Sequence, residues 1–416
     1  MSKKVLLLFI LILMTIIQTG CWNARELNTL GIALVMGIDL EGDDILLTAE
    51  IIEPTPAKVE TSKDKSEAVR YVQGRGSNMY EAFRDITLKF DRRVFIAHNK
   101  IIIFGEDFAN NRSINDIDLL ARDSEQRETA YLLISKGAKA YEVMGINSGL
   151  EEIPGNYILR LIENHKYNPK NMNMTLSEFL IYFYGMEKQP ILGVIERKDK
   201  KKIDKFKGEA KSKEYELSVI GSAVFYKDSL VGYLNGNDTK GVNFINGNVK
   251  HGIVTFPTPT FQTLGIDKKN QSVSKKEASI KHISTMTIVK LKSKKDIEII
   301  DGKPILKVKI NLIGSVGEVA GDIDISTKEG INALEDACSK QIKMGVEEAF
   351  KKVQKEFQSD VFGFGSVFHM KYPKEWKKVN RQWDKVFAEA DFQVEVKTKA
   401  IRTGLMNTPI NIIKGK

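Results

Sequence analysis

The apolar positions of this chain change period several times, and each change marks an element. Residues 5–17 are an almost unbroken apolar run behind Lys3 and Lys4, interrupted only by Thr15. A short positive start followed by such a run has the layout of a secretory leader, and the run is short for a membrane span, which takes about 20 residues. Residues 30–38 and 45–52 then read as two strands around the turn Glu41-Gly42-Asp43-Asp44, with Pro54 and Pro56 closing the second. Residues 71–73 suggest a further short strand, and Gly74-Arg75-Gly76-Ser77-Asn78 leads into a helix over 79–90. Strand-like stretches at 94–104 and 129–134 alternate with helical ones at 114–121 and 138–144, and another helix opens after Thr175. This alternation predicts an α/β or α+β domain through about residue 150.

The second half groups strands first and helices after them. Residues 219–226 and 230–234 flank Lys227-Asp228-Ser229 as a hairpin, ended by Asn235-Gly236-Asn237-Asp238. Residues 283–291, 297–300 and 305–313 alternate as strands, with Asp301-Gly302 as a hairpin turn. Ile331, Leu334, Cys338, Ile342, Val346, Phe350, Val353 and Phe357 recur at steps of three and four, which places them on one stripe of a long helix. Ser326 and Glu329 have the spacing of a capping box at its start. Residues 362–370, rich in glycine and aromatics, read as a turn between helices or as an exposed apolar contact. A helix carrying Trp376, Val379, Trp383, Val386 and Phe387 follows, and Phe392-x-Val394-x-Val396 closes the chain as a period-two strand. The fold class expected is α+β: a multi-domain protein with mixed or antiparallel sheets and long amphipathic helices in its C-terminal half.

Small residues Thr19 and Gly20 before Cys21 turn the leader into a lipoprotein signal, in which the thiol takes a diacylglycerol and becomes the new N-terminus. Gln18 stands where such signals usually carry Leu. Cysteine usage agrees, because with Cys21 lipidated only Cys338 remains and no disulfide framework is available. Cys338 then reads as a small core residue of its helix. The organisation expected is a signal peptide at 1–20, an N-terminal α/β domain of one or two subdomains at 21–195, a lysine-rich linker or loop at 196–214, a C-terminal α+β domain at 215–404 and a tail at 405–416.

Charge changes little on processing. The leader removes Lys3 and Lys4 from 63 basic residues, so 61 against 54 acidic ones leaves +7. A moderately basic protein tethered to an anionic membrane gains some attraction from it. No nucleic-acid motif is present. Gly74-x-Gly76 lacks the third glycine of a dinucleotide fingerprint, Met79 standing in its place. His98, His165, His251, His282 and His369 are too scattered for a zinc motif, and neither a phosphate loop nor a nucleophile elbow occurs. These absences name no catalytic residue, cofactor or metal, and Cys21 is the single site residue.

Four motifs in order carry a family resemblance. Cys21-Trp22-Asn23-Ala24-Arg25-Glu26-Leu27-Asn28, followed by a strand ending Gly37-Ile38-Asp39, resembles the start of the Ger(x)C lipoproteins, with Asn23 in place of the usual Asp. The stretch Gly221-Ser222-Ala223-Val224-Phe225-Tyr226 through Leu230-Val231-Gly232-Tyr233-Leu234 resembles that family's central hairpin. Trp376…Trp383-Asp384…Phe387 and Val394-x-Val396…Ile401-Arg402-x-Gly404 resemble its last helix and strand. The resemblance implies a three-domain, non-enzymatic lipoprotein, the C subunit of a nutrient germinant receptor. Such subunits sit on the outer face of the inner spore membrane and act with membrane-embedded A and B subunits to start spore germination. The competing expectation, a solute-binding lipoprotein of a transporter, would show two doubly wound α/β lobes.

Overall fold

The computed structural model describes residues 3–5, 29–52, 69–112, 118–123, 125–185, 187–199, 215–259, 282–321 and 323–402. Its first half is built on a sheet with strand order β3-β2-β1-β5-β6-β7-β8-β9, and β4 pairs with β1 off this path. The strands are β1 (Leu30–Glu41), β2 (Asp44–Ile52), β3 (Val69–Gly76), β4 (Arg93–Phe95), β5 (Ile101–Gly105), β6 (Tyr131–Lys136), β7 (Ile191–Asp199), β8 (Tyr215–Tyr226) and β9 (Ser229–Leu234). The centre β1-β5-β6-β7 is parallel, and the flanks β3-β2-β1 and β7-β8-β9 are antiparallel. Ile101, Ile102, Ile103 and Phe104 are all buried, because a central parallel strand is covered on both faces and so needs a continuous apolar run.

Two layers of helices supply that cover. On one side lie α1 (Met79–Ile86), α2 (Glu106–Asn111), α3 (Asp118–Arg122) and α6 (Leu176–Tyr184). On the other, α4 (Ala140–Met144) and α5 (Pro154–Glu163) bury Val143, Met144, Ile158 and Ile162 against Val35, Ile103 and Ile195. Asn78 caps α1, its side chain accepting from the Glu81 N–H at 2.9 Å, while Ser77 bonds the Glu81 carboxylate. Gly74 belongs to sheet packing and not to a nucleotide turn: a Cβ there would lie 1.9 Å from the Ala82 carbonyl oxygen.

The second half adds α7 (Gly236–Asn246) and a four-stranded sheet, order β10-β11-β12-β13. Its strands are β10 (Ile253–Pro257), β11 (Ile283–Ile300), β12 (Lys303–Glu318) and β13 (Asp391–Arg402). The turn between β11 and β12 places Asp301 at φ 50° and Gly302 at φ 77°, the left-handed pair that matches the twist of a two-residue hairpin. One face of this sheet is covered by α8 (Lys328–Lys352), which continues as a π-turn over Val353–Phe357. α9 (Phe364–Lys371), α10 (Pro373–Val379) and α11 (Trp383–Glu389) complete the chain between the π-turn and β13. Gly241 of α7 lets α8 approach closely, since a Cβ there would meet Ala349 and the Gly345 carbonyl at 2.6 Å.

The architecture is α+β, as the pattern of elements predicts, and several local expectations are corrected. The α8 cap is Thr327, whose hydroxyl accepts from the Gly330 N–H at 3.1 Å, and not Ser326, which bonds Asp324 instead. The hairpin ends at Leu234, just before Asn235 as expected, but Asn235 also opens a helix the sequence did not show: its side chain accepts the N–H groups of Asn237 and Asp238 and caps α7. The single helix expected around Trp376 and Trp383 is two, broken by a 3₁₀ turn over Asn380–Gln382. Residues 196–199 of the lysine-rich stretch lie in β7, paired with 215–218 of β8, and 200–214 fall outside the described residues. β8 and β9 thus complete the first sheet, although they follow the lysine run in sequence.

Candidate functional site

The motif residues of the sequence converge on the joint between the two sheets. At its centre is Asp360, 2 % exposed, in the loop between the π-turn and α9. One carboxylate oxygen accepts from the backbone N–H groups of Phe362 (3.2 Å) and Gly363 (2.9 Å). The other accepts from the Gly365 N–H (2.8 Å) and the Trp383 indole N–H (2.9 Å). Gly363 adopts φ 78°, a left-handed conformation that turns these amides toward the carboxylate at the cost of no Cβ clash. Burial raises the Asp360 pKa against the lowering by Trp383, the backbone amides and Lys295. Lys295 of β11 donates to the Phe362 carbonyl, and burial pulls its ammonium down to about 8. Lys188 is likewise lowered by burial, while the nearby Asp360 opposes that shift.

Around this carboxylate the halves are stitched together. The Gln189 N–H donates to the Asp360 carbonyl at 2.9 Å, and the Ser359 hydroxyl donates to the Phe225 carbonyl at 2.6 Å. Tyr226 donates to Asp384 at 2.8 Å. The Phe357 ring lies against Gly232, where a Cβ would sit 2.5 Å from it. In the core beside them Phe362 stacks on Phe350, while Phe364 and Phe387 meet Phe350 edge-on. Residues 362–368 are therefore neither an exposed apolar contact nor a simple turn. Phe362, Phe364 and Phe368 are buried, and 364–371 are helical.

A second feature is a cleft of about 460 Å³ beside the edge strand β3, lined in part by Thr48, Tyr71, Gln73, Tyr141 and Gly145. Behind Tyr71 lies Glu50, 0 % exposed. Its carboxyl receives the Tyr71 hydroxyl at 2.9 Å and the Gly155 N–H at 3.0 Å. Burial pushes the Glu50 pKa up to about 7, opposed by those two hydrogen bonds. The Tyr71 oxygen also lies 3.0 Å from the Met144 carbonyl. A phenol has one hydrogen for these two acceptors. A protonated Glu50 resolves the conflict, because it donates to Tyr71, which then donates to Met144.

The Gly37-Ile38-Asp39 motif has a structural task in the same region. Asp39 is buried and accepts from the N–H groups of Ala140 (2.7 Å) and Tyr141 (3.2 Å), so it caps α4. Gly37 leaves room for α4, as a Cβ there would lie 2.6 Å from the Met144 sulfur.

Cys21 and the tether 22–28 lie outside the described residues. Cys338 is buried on α8, and burial pushes its thiol up to about 12, an inert setting. Among the described residues, no group of three or more His, Cys, Asp or Glu side chains could hold a metal ion. No helix among them is long and apolar enough to cross a membrane. Sequence reading missed Asp360, whose side-chain donors are three nearby backbone amides and the Trp383 indole, and Glu50, whose partners Tyr71 and Gly155 lie far away along the chain.

Comparison with known proteins divides the chain at the lysine-rich stretch, ahead of β9 of the first sheet. A family model described as spore germination protein N-terminal domain matches residues 23–197, and one described as spore germination B3/GerAC like, C-terminal, matches 220–404. The chain belongs to the GerAC-like spore germination family. Spore germination protein KC of Bacillus subtilis (strain 168) is 26 % identical over 99 % of this chain and 98 % of its own. Spore germination protein B3 of the same organism is 25 % identical over 95 % and 97 %. A crystal structure of the GerBC protein superposes with a TM-score of 0.54 at 22 % identity, covering 88 % of this chain and 96 % of that one, so the two share a fold.

Proposed function

We propose that this GerAC-like chain is the C subunit of a spore germinant receptor, held at the outer face of the inner spore membrane by a diacylglycerol on Cys21. It works there with membrane-embedded A and B subunits and acts by assembly, not by catalysis. The observation that carries this reading is the match of both family models in order, behind a leader that ends in Thr19-Gly20-Cys21. Anchoring follows from chemistry. Each buried CH₂ of an acyl chain contributes about 0.8 kcal/mol, and two chains give stable attachment where one does not. The joint around Asp360 fits the same reading, since it bonds the two sheets together and leaves their outer surfaces to partners.

Cys21→Ala tests the anchor. The expected outcome is an unprocessed chain that keeps residues 1–20, gains no lipid mass and supports germination poorly. A variant with the wild-type mass increment would rule out Cys21 as the lipid site.

A further inference from the structure

The face of the second sheet opposite α8 carries an unusual ladder. Three adjacent rows across β11, β12 and β13 read Lys290–Ile313–Lys399, Lys292–Asn311–Lys397 and Lys294–Lys309–Glu395. These nine positions hold six lysines and one carboxylate, Glu395, a local excess of five positive charges. Glu395 is shared by Lys309 at 3.2 Å and Lys397 at 2.9 Å. Among the described residues, Lys290, Lys292, Lys294 and Lys399 make no ion pair, and all four are exposed. Lys294 stands directly opposite Lys309, a like-charge cross-strand pair that opposes sheet formation. At the end of the same face, Ile253, Ile283 and Val289 are about half exposed (53 %, 50 % and 47 %).

We propose that this lysine ladder is a docking surface for an anionic lipid bilayer. The occupant follows from the chemistry of the face. It is an open sheet surface with neither an aromatic side chain nor an arginine in the three rows, so it lacks the bidentate and stacking groups that read a shaped partner. Hydrated ammonium groups spread over three neighbouring strands instead match an extended array of phosphate headgroups, whose field adds up over many lysines. The half-exposed Ile253, Ile283 and Val289 supply the apolar edge that an interface of this kind immerses. The proposal relies on the Cys21 tether only to bring the bilayer within reach. The ladder then sets which side of the subunit lies down on it.

The test uses the full lipidated chain reconstituted into vesicles of phosphatidylcholine alone or of phosphatidylcholine with phosphatidylglycerol. A membrane-impermeant amine reagent labels the lysines, and mass spectrometry gives the rate at each. With phosphatidylglycerol present, Lys290, Lys292, Lys294 and Lys399 should label about fivefold more slowly or less, while Lys340 and Lys351 on α8 keep their rates. Molar salt should restore fast labelling, because the Debye length falls to about 3 Å. Lys292→Glu combined with Lys294→Glu should remove the protection at Lys399. Equal rates in the two lipids overturn the proposal, as does protection that appears only when an acidic protein partner is added. Failure of the chain to join either vesicle would instead count against the tether, so the two readings fail separately.

Discussion

Replacing Asp360 by Ala should lower stability by about 3–5 kcal/mol, the cost of removing one member of a buried charged cluster. The physical reason is the number of groups it satisfies. The N–H groups of Phe362, Gly363 and Gly365 and the Trp383 indole all donate to it, and none of them has water as a substitute, since the site is buried. The ammonium groups of Lys188 and Lys295 also lose their nearest opposing charge. Asp360→Asn should destabilise less but still measurably, because its amide can accept on one side only and turns a donor toward Gly365 and Trp383. Thermal unfolding checks this. For a chain of this size the Ala variant should melt roughly 4–6 °C lower, and a wild-type melting temperature would remove Asp360 from its central place in the joint.

Glu50→Gln should change how stability depends on pH. The folded state holds the Glu50 proton up to about pH 7, against an ordinary value of 4.5. Between those values the folded chain therefore binds more protons than the unfolded one, and stability falls as pH rises through that window. A difference of this size corresponds to about 3 kcal/mol in full, and to about 2–3 kcal/mol between pH 5 and pH 8. Gln keeps the shape of the protonated acid, accepting from Gly155 and donating to Tyr71, and carries no charge to desolvate. The variant should thus be more stable than the wild type at pH 8, with a smaller gap at pH 5. Denaturant unfolding at both pH values measures this, and other titrating groups cancel in the comparison. An identical pH dependence in the two proteins would mean that Glu50 does not titrate in this window.

Elements with a clear period were legible in the sequence. The β11–β12 hairpin announced itself through alternation and Asp301-Gly302, although the structure runs it as two long unbroken strands, Ile283–Ile300 and Lys303–Glu318. The α8 stripe fell into the core as spaced, with Leu334, Cys338, Ile342, Val346, Phe350 and Val353 buried. α7 was illegible because Gly236 and Gly241 sit inside it and its residues pack on several sides at once. α5 has no capping side chain at Ile153 and begins with Pro154 and Gly155, a dipeptide that carries a turn signal instead of a helical one. The candidate site was hidden for a different reason. Asp360 meets Gln189 and Trp383, and Glu50 meets Gly155, across spans that no local motif encodes. What the sequence did show were its outworks: Gly232, Tyr226 and Trp383-Asp384 stood out as motifs, and the fold reveals that they meet at one joint.

The central claim is assembly with membrane subunits, and purification of the tagged, lipidated chain from the inner membrane of dormant spores tests it most directly. The account predicts recovery together with two multi-span proteins, the A and B subunits, and no ATPase. Recovery of the chain alone, or with an ATPase and a permease, would contradict it.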